Sequence, residues 1–511
     1  MNETAMNGTS DREAICPCAP VAAREESRPS WHEECGIFGI WSRTVPVTDA
    51  CYLGLFALQH RGQESAGIAV TDGIHVDIEK GMGLMTEAFK PRLPGIRGHC
   101  AIGHVRYSTV GGSVFANVQP FLAAFSGGFI SLAHNGSLTN AQKVRRRLES
   151  EGCVFQSTSD SEAILNLIAI SSAPTVEDKI LSSLEQIEGA YSLIIMTGEG
   201  LIGVRDPHAF RPLCLGRLED GYVLASETCA LDAVNATFVR DVLPGEMVVV
   251  DQNGVHSRFL QKKAKLSSCV FEYIYFARPD SVIDGTSVWQ ARYLMGRRLA
   301  REYPVSADVV VPVPDTGIAA AIGFSAESGV PWVEGLIKNR YVGRTFILPD
   351  QTKRRATVEM KLNPVRANLE GKRVVMIDDS IVRGTTSARL VALLRRAGAT
   401  EVHMCVSSPP ITHPCYYGID TSIRKELIAA VSTEREIGLK IGTDGLHYLS
   451  LQGLLESVGD AKGERMCTSC FHGIYPTDVS ECLVEAPEAE GGGEVPKGQV
   501  SPAPLSFKSE A

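Results

Sequence analysis

A cysteine followed directly by glycine begins an apolar stretch, CGIFGI, which runs from Cys35 to Ile40. The pattern predicts a buried strand with a thiol at its start, and a thiol becomes a nucleophile when a base takes its proton. His32 lies nearby, but no pattern specifies a Cys–His pair. An α-amino group has an ordinary pKa of about 7.7–8.0 and could serve as the base if Cys35 were the first residue of the mature chain. The alternative is a small cysteine buried in the core.

Two adjacent aspartates end a second apolar stretch, in KRVVMIDDSIVRGTT. The residues Val374 to Ile377 predict a strand, and a turn after Asp378 and Asp379 leads into a predicted helix. In open α/β sheets ligands bind beyond the carboxyl ends of strands, where helix N-termini offer N–H groups to anions. Gly384 would let the backbone approach a phosphate, and the paired carboxylates suit sugar hydroxyls and Mg²⁺. The alternative is a helix N-cap, for which one aspartate would suffice. Three hydroxyl side chains of the turn add donors: Ser380, Thr385 and Thr386.

A third group of residues has the chemistry of metal ligands. Cys467 and Cys470 form a CxxC pair, while Cys269 and Cys415 lie far from it in the sequence. Thiolates bind both zinc and iron–sulfur clusters, and this spacing is compatible with either. The residues alone leave both interpretations open.

The composition is typical of a globular protein that binds neither nucleic acid nor membranes. The 511 residues are 44% hydrophobic and 21% charged, and 59 acidic side chains outnumber 50 basic ones. The formal charge of −9 argues against a nucleic-acid surface. No apolar run is long enough to span a membrane, and the first 34 residues lack the pattern of a secretory signal or a transit peptide. We therefore expect a cytoplasmic protein.

The elements that must position these residues fall into two segments of different character. From Cys35 to about Val255, short strand-like runs alternate with glycine-bearing turns and a few helical stretches. This pattern predicts packed, largely antiparallel sheets with helices. From about Val270 to Gln452, strand-like and helical stretches alternate, which predicts a parallel α/β sheet. The residues from about Glu481 onward are rich in Glu, Gly, Pro and Ser and predict a disordered tail.

The stretch DDSIVRGTT resembles the signature with which type I phosphoribosyltransferases bind phosphoribosyl pyrophosphate (PRPP). The resemblance implies that the two aspartates hold the ribose hydroxyls and that the loop after them cradles the 5′-phosphate. It also implies a Mg²⁺ ion held by Thr316, Asp378 and Asp379. The loop residues expected to contact PRPP are Ser380, Ile381, Val382, Arg383, Gly384, Thr385 and Thr386.

Two further stretches fit the same family. In VVVPVPDTG the residues Asp315, Thr316 and Gly317 follow an apolar strand, as expected of the pyrophosphate loop. The stretch IKNRYVGRTFI lies in a predicted loop between the ligand loops, where its cations would close over pyrophosphate and exclude water. The alternative is a solvated basic surface loop. The three cations are Lys338, Arg340 and Arg344.

Four motifs after Cys35 resemble, in their order, the glutamine amidotransferases of the N-terminal nucleophile (Ntn) class. They are LQHRGQESAGIA, GHVRYSTVG, LAHNGSLTN and STSDSEAI, which begin at residues 58, 103, 132 and 157. Taken singly, each polar residue in them would more often be a turn or surface residue. The resemblance implies an αββα glutaminase fold and a pocket that Arg61 shapes beside the nucleophile.

The same resemblance assigns roles to five residues. Cys35 would attack the side-chain amide of glutamine. Asn135 and the N–H group of Gly136 would form the oxyanion hole, whose donors act on charge that develops in the transition state. Arg106 would bind the carboxylate of the substrate and Asp160 its α-ammonium group.

Together the two halves, with FEYIYFARPDS between them, resemble the glutamine phosphoribosylpyrophosphate amidotransferases over residues 35–478. The resemblance implies an amidophosphoribosyltransferase that performs the first committed step of de novo purine biosynthesis. Glutamine, PRPP and water would give 5-phosphoribosylamine, glutamate and pyrophosphate, through a Cys35 thioester and internal transfer of ammonia. The rivals are another Ntn amidotransferase, which makes an aminosugar or asparagine, and a non-catalytic PRPP or nucleotide sensor.

The resemblance also implies cofactors, partners and processing. One Mg²⁺ ion and one [4Fe–4S] cluster per subunit are expected, the cluster held by Cys269, Cys415, Cys467 and Cys470. Relatives are homotetramers that purine nucleotides inhibit. The expected domains are a removed propeptide (1–34), the Ntn domain (35–262), the phosphoribosyltransferase domain with its cluster-binding segment (263–478) and a disordered tail (479–511).

Two residues depart from the family pattern. Ala209, in RDPHAFRPL, stands where relatives usually have glycine, and His472 stands where threonine is common. Neither position has an assigned chemical role, so the predicted activity is unchanged.

Overall fold

The computed structural model describes residues 35–90, 93–107, 114–125, 127–339, 362–419, 421 and 423–484. All of them belong to the same structural unit of the chain. The predicted propeptide, Arg340, Arg344 and the residues after 484 lie outside the described residues. In the part of the chain that is described, no helix is long and apolar enough to cross a membrane.

The first half of the described chain is rich in strands. Its strands are β1 (Gly36–Trp41), β2 (Ser65–Thr71), β3 (Val76–Met82), β4 (Cys100–Arg106), β5 (Phe121–Phe125), β6 (Gly128–Leu138), β7 (Gly189–Thr197), β8 (Leu201–Arg205), β9 (Cys214–Arg217), β10 (Tyr222–Ala225), β11 (Thr237–Asp241), β12 (Glu246–Asp251) and β13 (Gly254–Phe259). Its helices are α1 (Val47–Ala57), α2 (Met85–Ala88), α3 (Ala141–Ser150), α4 (Asp160–Ile170), α5 (Val176–Leu184), α6 (Thr228–Asp232) and a 3₁₀ turn (Phe115–Asn117).

These strands form two antiparallel sheets that face each other. Among the described residues one sheet has the order β11-β9-β10-β1-β4-β2-β3 and the other β13-β12-β8-β7-β6-β5. Ile37 of the first sheet and Ile194 of the second share a core, while the neighbouring Phe38 packs under α1 and Leu193 packs under α4. Successive side chains of a strand point to opposite faces, so each sheet has one face toward its partner and one toward helices. The predicted αββα arrangement is confirmed.

The second half alternates strands and helices. Its elements are β14 (Ser268–Cys269), a π-helical turn (Glu272–Phe276), β15 (Val282–Ile283), β16 (Thr286–Ser287), α7 (Val288–Glu302), β17 (Val309–Pro312), α8 (Gly317–Ser328), β18 (Leu336–Lys338), β19 (Leu362–Pro364), α9 (Arg366–Leu369), β20 (Arg373–Asp378), α10 (Thr385–Arg396), β21 (Glu401–Val406), a 3₁₀ turn (Arg424–Glu426), α11 (Ile428–Val431), α12 (Glu434–Ile441), β22 (Gly445–Tyr448), α13 (Leu451–Ser457), β23 (Met466–Cys467), α14 (Ser469–His472) and α15 (Ser480–Val484).

A parallel sheet of order β17-β20-β21-β22 forms the centre of this half. On β20, Val375 packs in a core with residues of α7 and α8, whereas its neighbour Met376 packs with residues of α10 and α12. Helices therefore cover both faces, as parallel sheets require. The predicted parallel α/β domain is confirmed.

The ordered chain extends further than the sequence predicts. Val479 is buried, and α15 follows it within the segment expected to be a disordered tail. The thiol of Cys482 on this helix lies 3.6 Å from the carbonyl oxygen of Thr139 in the first half. The first residues of the predicted tail thus form a short helix with a contact to the first half.

Candidate functional site

Cys35 lies at the start of β1, and only 9% of the residue is exposed. Its thiol donates to the carbonyl oxygen of Tyr107 at 3.4 Å, and its own carbonyl oxygen accepts a hydrogen bond from Arg61 Nε at 3.1 Å. The predicted nucleophile is thus held through both its side chain and its backbone. It opens into a cleft lined by Cys35, Arg106, Tyr107, Gln119, His134, Gly136, Ser159, Asp160 and Ser161.

Asn135 and Gly136 lie side by side on β6, and Gly136 lines this cleft. Gly136 has a φ of +142°, and a Cβ atom there would lie 2.1 Å from the carbonyl oxygen of Ala190 on β7. Only glycine fits this conformation and this close approach. The Asn135 Nδ2 atom is buried and has no hydrogen-bond partner among the described residues. Because buried donors are normally paired, this amide is suited to donate to an oxygen atom of a bound substrate.

Opposite charges lie on the same cleft at Arg106, the last residue of β4, and Asp160, the first residue of α4. Both residues are buried, and Arg106 Nη1 lies 3.8 Å from the carboxylate of Glu64. One carboxylate oxygen of Asp160 accepts the N–H of Leu138 at 3.0 Å. A guanidinium group and a carboxylate placed in this way suit an amino acid, whose α-carboxylate and α-ammonium groups carry the complementary charges.

Several polar residues of the cleft have no role predicted from the sequence, and three of them, Gln119, His134 and Ser161, bond to one another. The Gln119 carboxamide accepts the N–H of His134 at 2.8 Å and donates to Ser161 Oγ at 3.1 Å. Ser161 Oγ in turn lies 2.9 Å from His134 Nδ1. Burial lowers the pKa of His134, so its ring is neutral and forms part of a hydrogen-bonded wall. His134 lies in the LAHNG motif, so the sequence could have indicated that it belongs to the site. Gln119 lies in none of the motifs.

Arg61 does more than shape the pocket. Its guanidinium group lies 2.6 Å from Glu227 and makes two hydrogen bonds to Glu272, of 2.9 and 2.7 Å, all within the interior. Glu272 begins the π-helical turn that joins the two halves. Arg61 therefore connects the backbone of Cys35 to this joining turn. No motif in the sequence predicts that Glu227 or Glu272 pairs with Arg61.

The same turn is held from the second half by Arg292 of α7. This buried side chain donates to the carbonyl oxygens of Tyr273, Tyr275 and Ala277 at 2.8, 3.0 and 2.8 Å. Burial lowers the pKa of Arg292 to about 10, and the nearby Asp379 opposes that change. Hydrogen bonds therefore lead from the backbone of Cys35 through the joining turn to Arg292, whose charge interacts with that of Asp379.

The two aspartates lie at the carboxyl end of β20, where the sequence predicts them. Asp378 and Asp379 are each 6% exposed, and the hydroxyls of Ser380 (at 2.6 Å) and Thr316 donate to Asp379. Burial raises the pKa of both carboxyls, and the proximity of Asp379 raises that of Asp378 further. A bound cation or bound hydroxyl groups would favour the ionised forms of this pair.

The structure brings the predicted pyrophosphate loop beside these aspartates. Asp315, Thr316 and Gly317 connect β17 to α8, and a Cβ atom on Gly317 would lie 2.7 Å from the carbonyl oxygen of Ile377. Lys338 Nζ, at the end of β18, lies 2.7 Å from the Asp315 carboxylate. The loop, the cation and the acidic pair therefore surround one region beyond the sheet.

In the turn after the aspartates, backbone groups rather than apolar side chains are available to a ligand. Gly384 precedes α10 with a φ of +77°, in the left-handed region that favours glycine. Ile381 is 1% exposed and belongs to the core, so it can offer only its backbone to a ligand. The carbonyl oxygen of Val382 accepts the N–H of Ile428 at 2.9 Å, and Arg383 pairs with Glu426. Two hydroxyl residues, Thr385 and Thr386, form the first turn of α10.

The four predicted cluster-binding cysteines come together from three segments. Cys269 and Cys467 are register partners in the parallel pair β14–β23. The carbonyl oxygen of Cys470 accepts the N–H of His413, two residues before Cys415, at 3.0 Å. Burial, reinforced by the other three thiols, raises the pKa of Cys470 well above its usual value. Within the described residues, no three His, Cys, Asp or Glu side chains are arranged as ligands of a single metal ion.

Ala209 adopts a φ of +55° in the RDPHAFRPL stretch. This is the left-handed conformation that glycine, the residue usual here in relatives, adopts most readily. Ala209 therefore has a backbone conformation that glycine would adopt at lower steric cost.

Two family models match the chain. The model of the glutamine amidotransferase domain matches residues 104–233, and that of the phosphoribosyl transferase domain matches residues 290–424. The first range contains β6 and Asp160, and the second contains the paired aspartates.

The chain is also similar to individual proteins over most of its length. It is 51% identical over 458 residues to the amidophosphoribosyltransferase of Bacillus subtilis, which covers 89% of this chain and 96% of the relative. It is 50% identical over 465 residues to the amidophosphoribosyltransferase of Methanocaldococcus jannaschii, and the match covers 87% of this chain and 98% of the relative. The chain also matches the solved structure of the Bacillus subtilis glutamine PRPP amidotransferase complexed with ADP and GMP, with a TM-score of 0.82 and 50% identity. This match covers 87% of this chain and 98% of the solved chain.

The fold and the two sites define a glutamine amidotransferase joined to a phosphoribosyltransferase. Among proteins of this class, the chain belongs to the amidophosphoribosyltransferase family. It is thus an enzyme of the glycosyltransferase type, and the rival Ntn amidotransferases that make aminosugars or asparagine are excluded.

Proposed function

We propose that the chain hydrolyses glutamine at Cys35 and delivers the ammonia internally to PRPP bound beyond β20. The products are glutamate, 5-phosphoribosylamine and pyrophosphate, the first committed step of purine biosynthesis. The observation that carries the proposal is that one chain holds a thiol cleft suited to an amino acid and an acidic pair suited to a phosphosugar. The buried Arg61–Glu272 pair connects the backbone of Cys35 to the turn that joins the two halves.

The first half reaction uses the thiol and its own amine. Once residues 1–34 are removed, the α-amine of Cys35 takes the thiol proton and the thiolate attacks the side-chain carbonyl carbon of glutamine. The oxyanion accepts hydrogen bonds from Asn135 Nδ2 and the N–H of Gly136. The amine returns the proton to the leaving ammonia, which leaves a thioester. Water then adds to the thioester with the amine as base, so that glutamate leaves and the thiol is restored.

The charged residues of the cleft select glutamine. Arg106 binds its α-carboxylate and Asp160 its α-ammonium group. The hydrogen-bonded wall of Gln119, His134 and Ser161 keeps the strand that carries Asn135 in register with α4. Arg61 fixes the carbonyl group of Cys35 and thereby the direction of the thiol.

The second half reaction takes place beyond β20. Ammonia attacks C1 of PRPP, the C1–O bond to pyrophosphate breaks, and the new amine loses a proton. Asp378 and Asp379 hold the ribose hydroxyls, residues 380–386 hold the 5′-phosphate, and residues 315–317 hold pyrophosphate. Lys338, together with Arg340 and Arg344 outside the described residues, closes over the leaving group. Internal transfer keeps ammonia unprotonated, whereas ammonia in water is mostly a cation without a nucleophilic lone pair.

Two inorganic groups complete the proposal. Thr316, Asp378 and Asp379 would hold one Mg²⁺ ion per subunit, since hydroxyl and carboxylate oxygens suit this hard cation. When bound, it would neutralise the charge of pyrophosphate. One [4Fe–4S] cluster per subunit would be held by the four converging cysteines, Cys269, Cys415, Cys467 and Cys470, and would tie three segments together.

We further propose a cytoplasmic homotetramer that purine nucleotides inhibit. The relative from Bacillus subtilis was solved with ADP and GMP, which supports regulation by nucleotides in this chain. The proposed domains are the propeptide (1–34), the Ntn domain (35–262), the phosphoribosyltransferase domain (263–478) and a C-terminal tail, of which residues after 484 lie outside the described residues.

The test combines N-terminal sequencing of the purified protein with assays of both ammonia sources. The mature protein should begin at Cys35 and release glutamate from glutamine when PRPP is present. A Cys35→Ala variant should lose glutamine-dependent product and retain product formation with high external ammonia, whereas Cys153→Ala, a half-buried cysteine outside the cleft, should retain both. Full glutamine-dependent activity in Cys35→Ala, or in a chain that still begins at Met1, would contradict the proposal.

A further inference from the structure

The segment Tyr417–Gly418, which follows Cys415 closely, lies directly against the oxyanion strand of the glutamine cleft. Gly418 is buried and has a φ of +121°. A Cβ atom on Gly418 would lie 3.4 Å from both Cα and the carbonyl carbon of Gly136, and 3.1 Å from Arg211 Nη2. A Cβ atom at residue 418 would displace the end of Arg211 by a few tenths of an ångström. It would also lie at the lower limit of ordinary contact with Gly136, so that no space would remain between the two residues.

The space into which Gly136 could move is limited by β7. On its other side a Cβ atom would lie 2.1 Å from the carbonyl oxygen of Ala190, so β7 already limits the space around it. Gly136 is therefore enclosed between β7 and the Tyr417–Gly418 segment. Pressure from residue 418 would shift the N–H group of Gly136 relative to the thiol.

The same segment also reaches the nucleophile through buried charges. The carbonyl oxygen of Tyr417 accepts hydrogen bonds from Arg211 Nη2 at 2.8 Å and Nε at 3.2 Å. Arg211 Nη1 lies 3.4 Å from Glu272, which pairs with Arg61, and Arg61 donates to the carbonyl oxygen of Cys35. Two independent routes thus lead from this segment to the two sides of the cleft.

The segment is itself firmly placed. The ring of Tyr417 stacks on that of Phe210 with centroids 4.1 Å apart, and its hydroxyl lies 3.0 Å from Thr477 Oγ1. The N–H of Tyr417 also approaches Cys415 Sγ at 3.4 Å. A change at residue 418 would therefore be transmitted to Gly136 rather than absorbed by the segment.

We infer that Gly418 is a positioning residue for the oxyanion hole, where its missing side chain lets the backbone of Gly136 and the guanidinium of Arg211 keep their places. The inference rests on the proposed function, which gives the N–H of Gly136 its role. An oxyanion donor acts mainly in the transition state, so its displacement lowers kcat rather than the affinity for glutamine.

The test compares Gly418→Ala with Gly254→Ala in the mature, full-length protein. Gly254 is the first residue of β13, directly after the turn that follows β12. It has a φ of +116°, and a Cβ atom there meets nothing within 4 Å. Both variants carry the same kind of backbone strain, but only the first creates the contact with Gly136. The measurements are kcat and KM for glutamine hydrolysis, ammonia-dependent synthesis, and inhibition by an aldehyde analogue of glutamine. The Cys35 thiolate adds to such an aldehyde without a leaving group and forms an oxyanion.

Relative to Gly254→Ala, Gly418→Ala should lower kcat at least about tenfold and should lower the affinity for the aldehyde analogue by a similar factor. The KM for glutamine should change less than about twofold. Ammonia-dependent synthesis should be unchanged. Equal kcat and equal aldehyde affinity in the two variants would overturn the inference, as would a raised KM with unchanged kcat or an equal loss of ammonia-dependent synthesis. Absence of glutamine hydrolysis in the unsubstituted protein would instead overturn the proposed function.

If circular dichroism shows that Gly418→Ala is unfolded, Arg211→Lys decides the question. Lysine keeps the charge but cannot make the two hydrogen bonds of the guanidinium group to the carbonyl oxygen of Tyr417. A fall in kcat with unchanged KM for glutamine supports the inference, and an unchanged kcat overturns it.

Discussion

Arg61 and Glu272 form a two-point ion pair, of 2.9 and 2.7 Å, that buries both charges where the glutamine cleft meets the joining turn. The residues are 211 positions apart in the chain. Because Arg61 also donates to the carbonyl oxygen of Cys35, the direction of the predicted nucleophile depends on a residue of the turn between the domains.

Loss of one charge of this pair should destabilise the protein and uncouple the two reactions. Glu272→Gln removes one of the carboxylates that pair with the buried guanidinium group of Arg61. Because breaking a buried ion pair costs about 3–5 kcal/mol, the free energy of unfolding should fall by about that amount. Glutamine-dependent synthesis should fall more than ammonia-dependent synthesis, because the orientation of Cys35 affects only the first. Denaturation in urea and assays with both ammonia sources measure the two effects.

The matched control is Asp178→Asn, which breaks the pair of Asp178 with Arg258, whose side chains are about one third exposed. Such surface pairs contribute little, so this variant should behave like the unsubstituted protein. Equal effects in the two variants would show that the buried pair has no special role.

The paired aspartates should matter for only one of the two chemistries. Asp379→Asn removes a carboxylate that would hold ribose hydroxyls and Mg²⁺, so synthesis from either ammonia source should fall by about 10²-fold. Hydrolysis of glutamine at Cys35 should remain measurable. The control is Asp308→Asn, at the opposite end of the same sheet. Among the contacts described, this carboxylate pairs only with Arg373, so its loss should leave synthesis intact. Ammonia-dependent synthesis that survives in Asp379→Asn would contradict the assignment of this site.

Asp206 should make stability depend on pH. Burial raises the pKa of its carboxyl to about 7, although Arg205 and the backbone N–H groups of Tyr191, His208 and Phe210 act in the opposite direction. The ordinary value is about 3.9, so the folded state holds the proton more tightly. The carboxyl therefore contributes stability that is fully present below about pH 4 and lost as the pH rises through about 7.

Asp206→Asn should remove this dependence. Between about pH 4 and 7 the unfolding free energy of the unsubstituted protein should fall relative to the variant by up to about 1.4 kcal/mol per pH unit. Thermal or urea unfolding at several pH values measures the difference, with Asp49→Asn on an exposed helical position as the control. Parallel pH profiles for Asp206→Asn and the unsubstituted protein would refute the expected titration.

The four converging cysteines should give the protein a colour. The purified protein is expected to be brown, with broad absorption in the blue and with iron and acid-labile sulfide in equal amounts. Cys470→Ser should lose both, whereas Cys482→Ser, a half-buried cysteine outside the proposed set, should keep them. A colourless protein that contains zinc would contradict the cluster.

The sequence predicted the parts of the site that local motifs carry. Cys35, Asn135 and the paired aspartates lie at strand ends or on strands whose apolar periodicity was visible, and glycines marked the tight turns beside them. The partners of Arg61 could not be predicted, because Glu227 and Glu272 are 166 and 211 positions away and pairing at such a distance leaves no local pattern.

Other features were hidden for different physical reasons. The FEYIYF stretch forms a π-helical turn, and Arg292 of α7 donates to carbonyl oxygens of this turn and of Ala277 after it. These are tertiary contacts, which local propensity does not encode. Gly418 has no neighbouring motif, and its importance arises from the close approach of Gly136 in the folded chain.

The pairing of β14 with β23 makes the phosphoribosyltransferase region an insertion with adjacent ends. Cys269 and Cys467 are direct neighbours, so the two ends of the region lie side by side next to the joining turn. The entropy of closing such a loop increases only slowly with its length, so a long region can be anchored by a short pair of strands. A circularly permuted protein, with new termini in an exposed loop of this region, should therefore still assemble the join, because the two anchoring strands pair with each other wherever the chain begins.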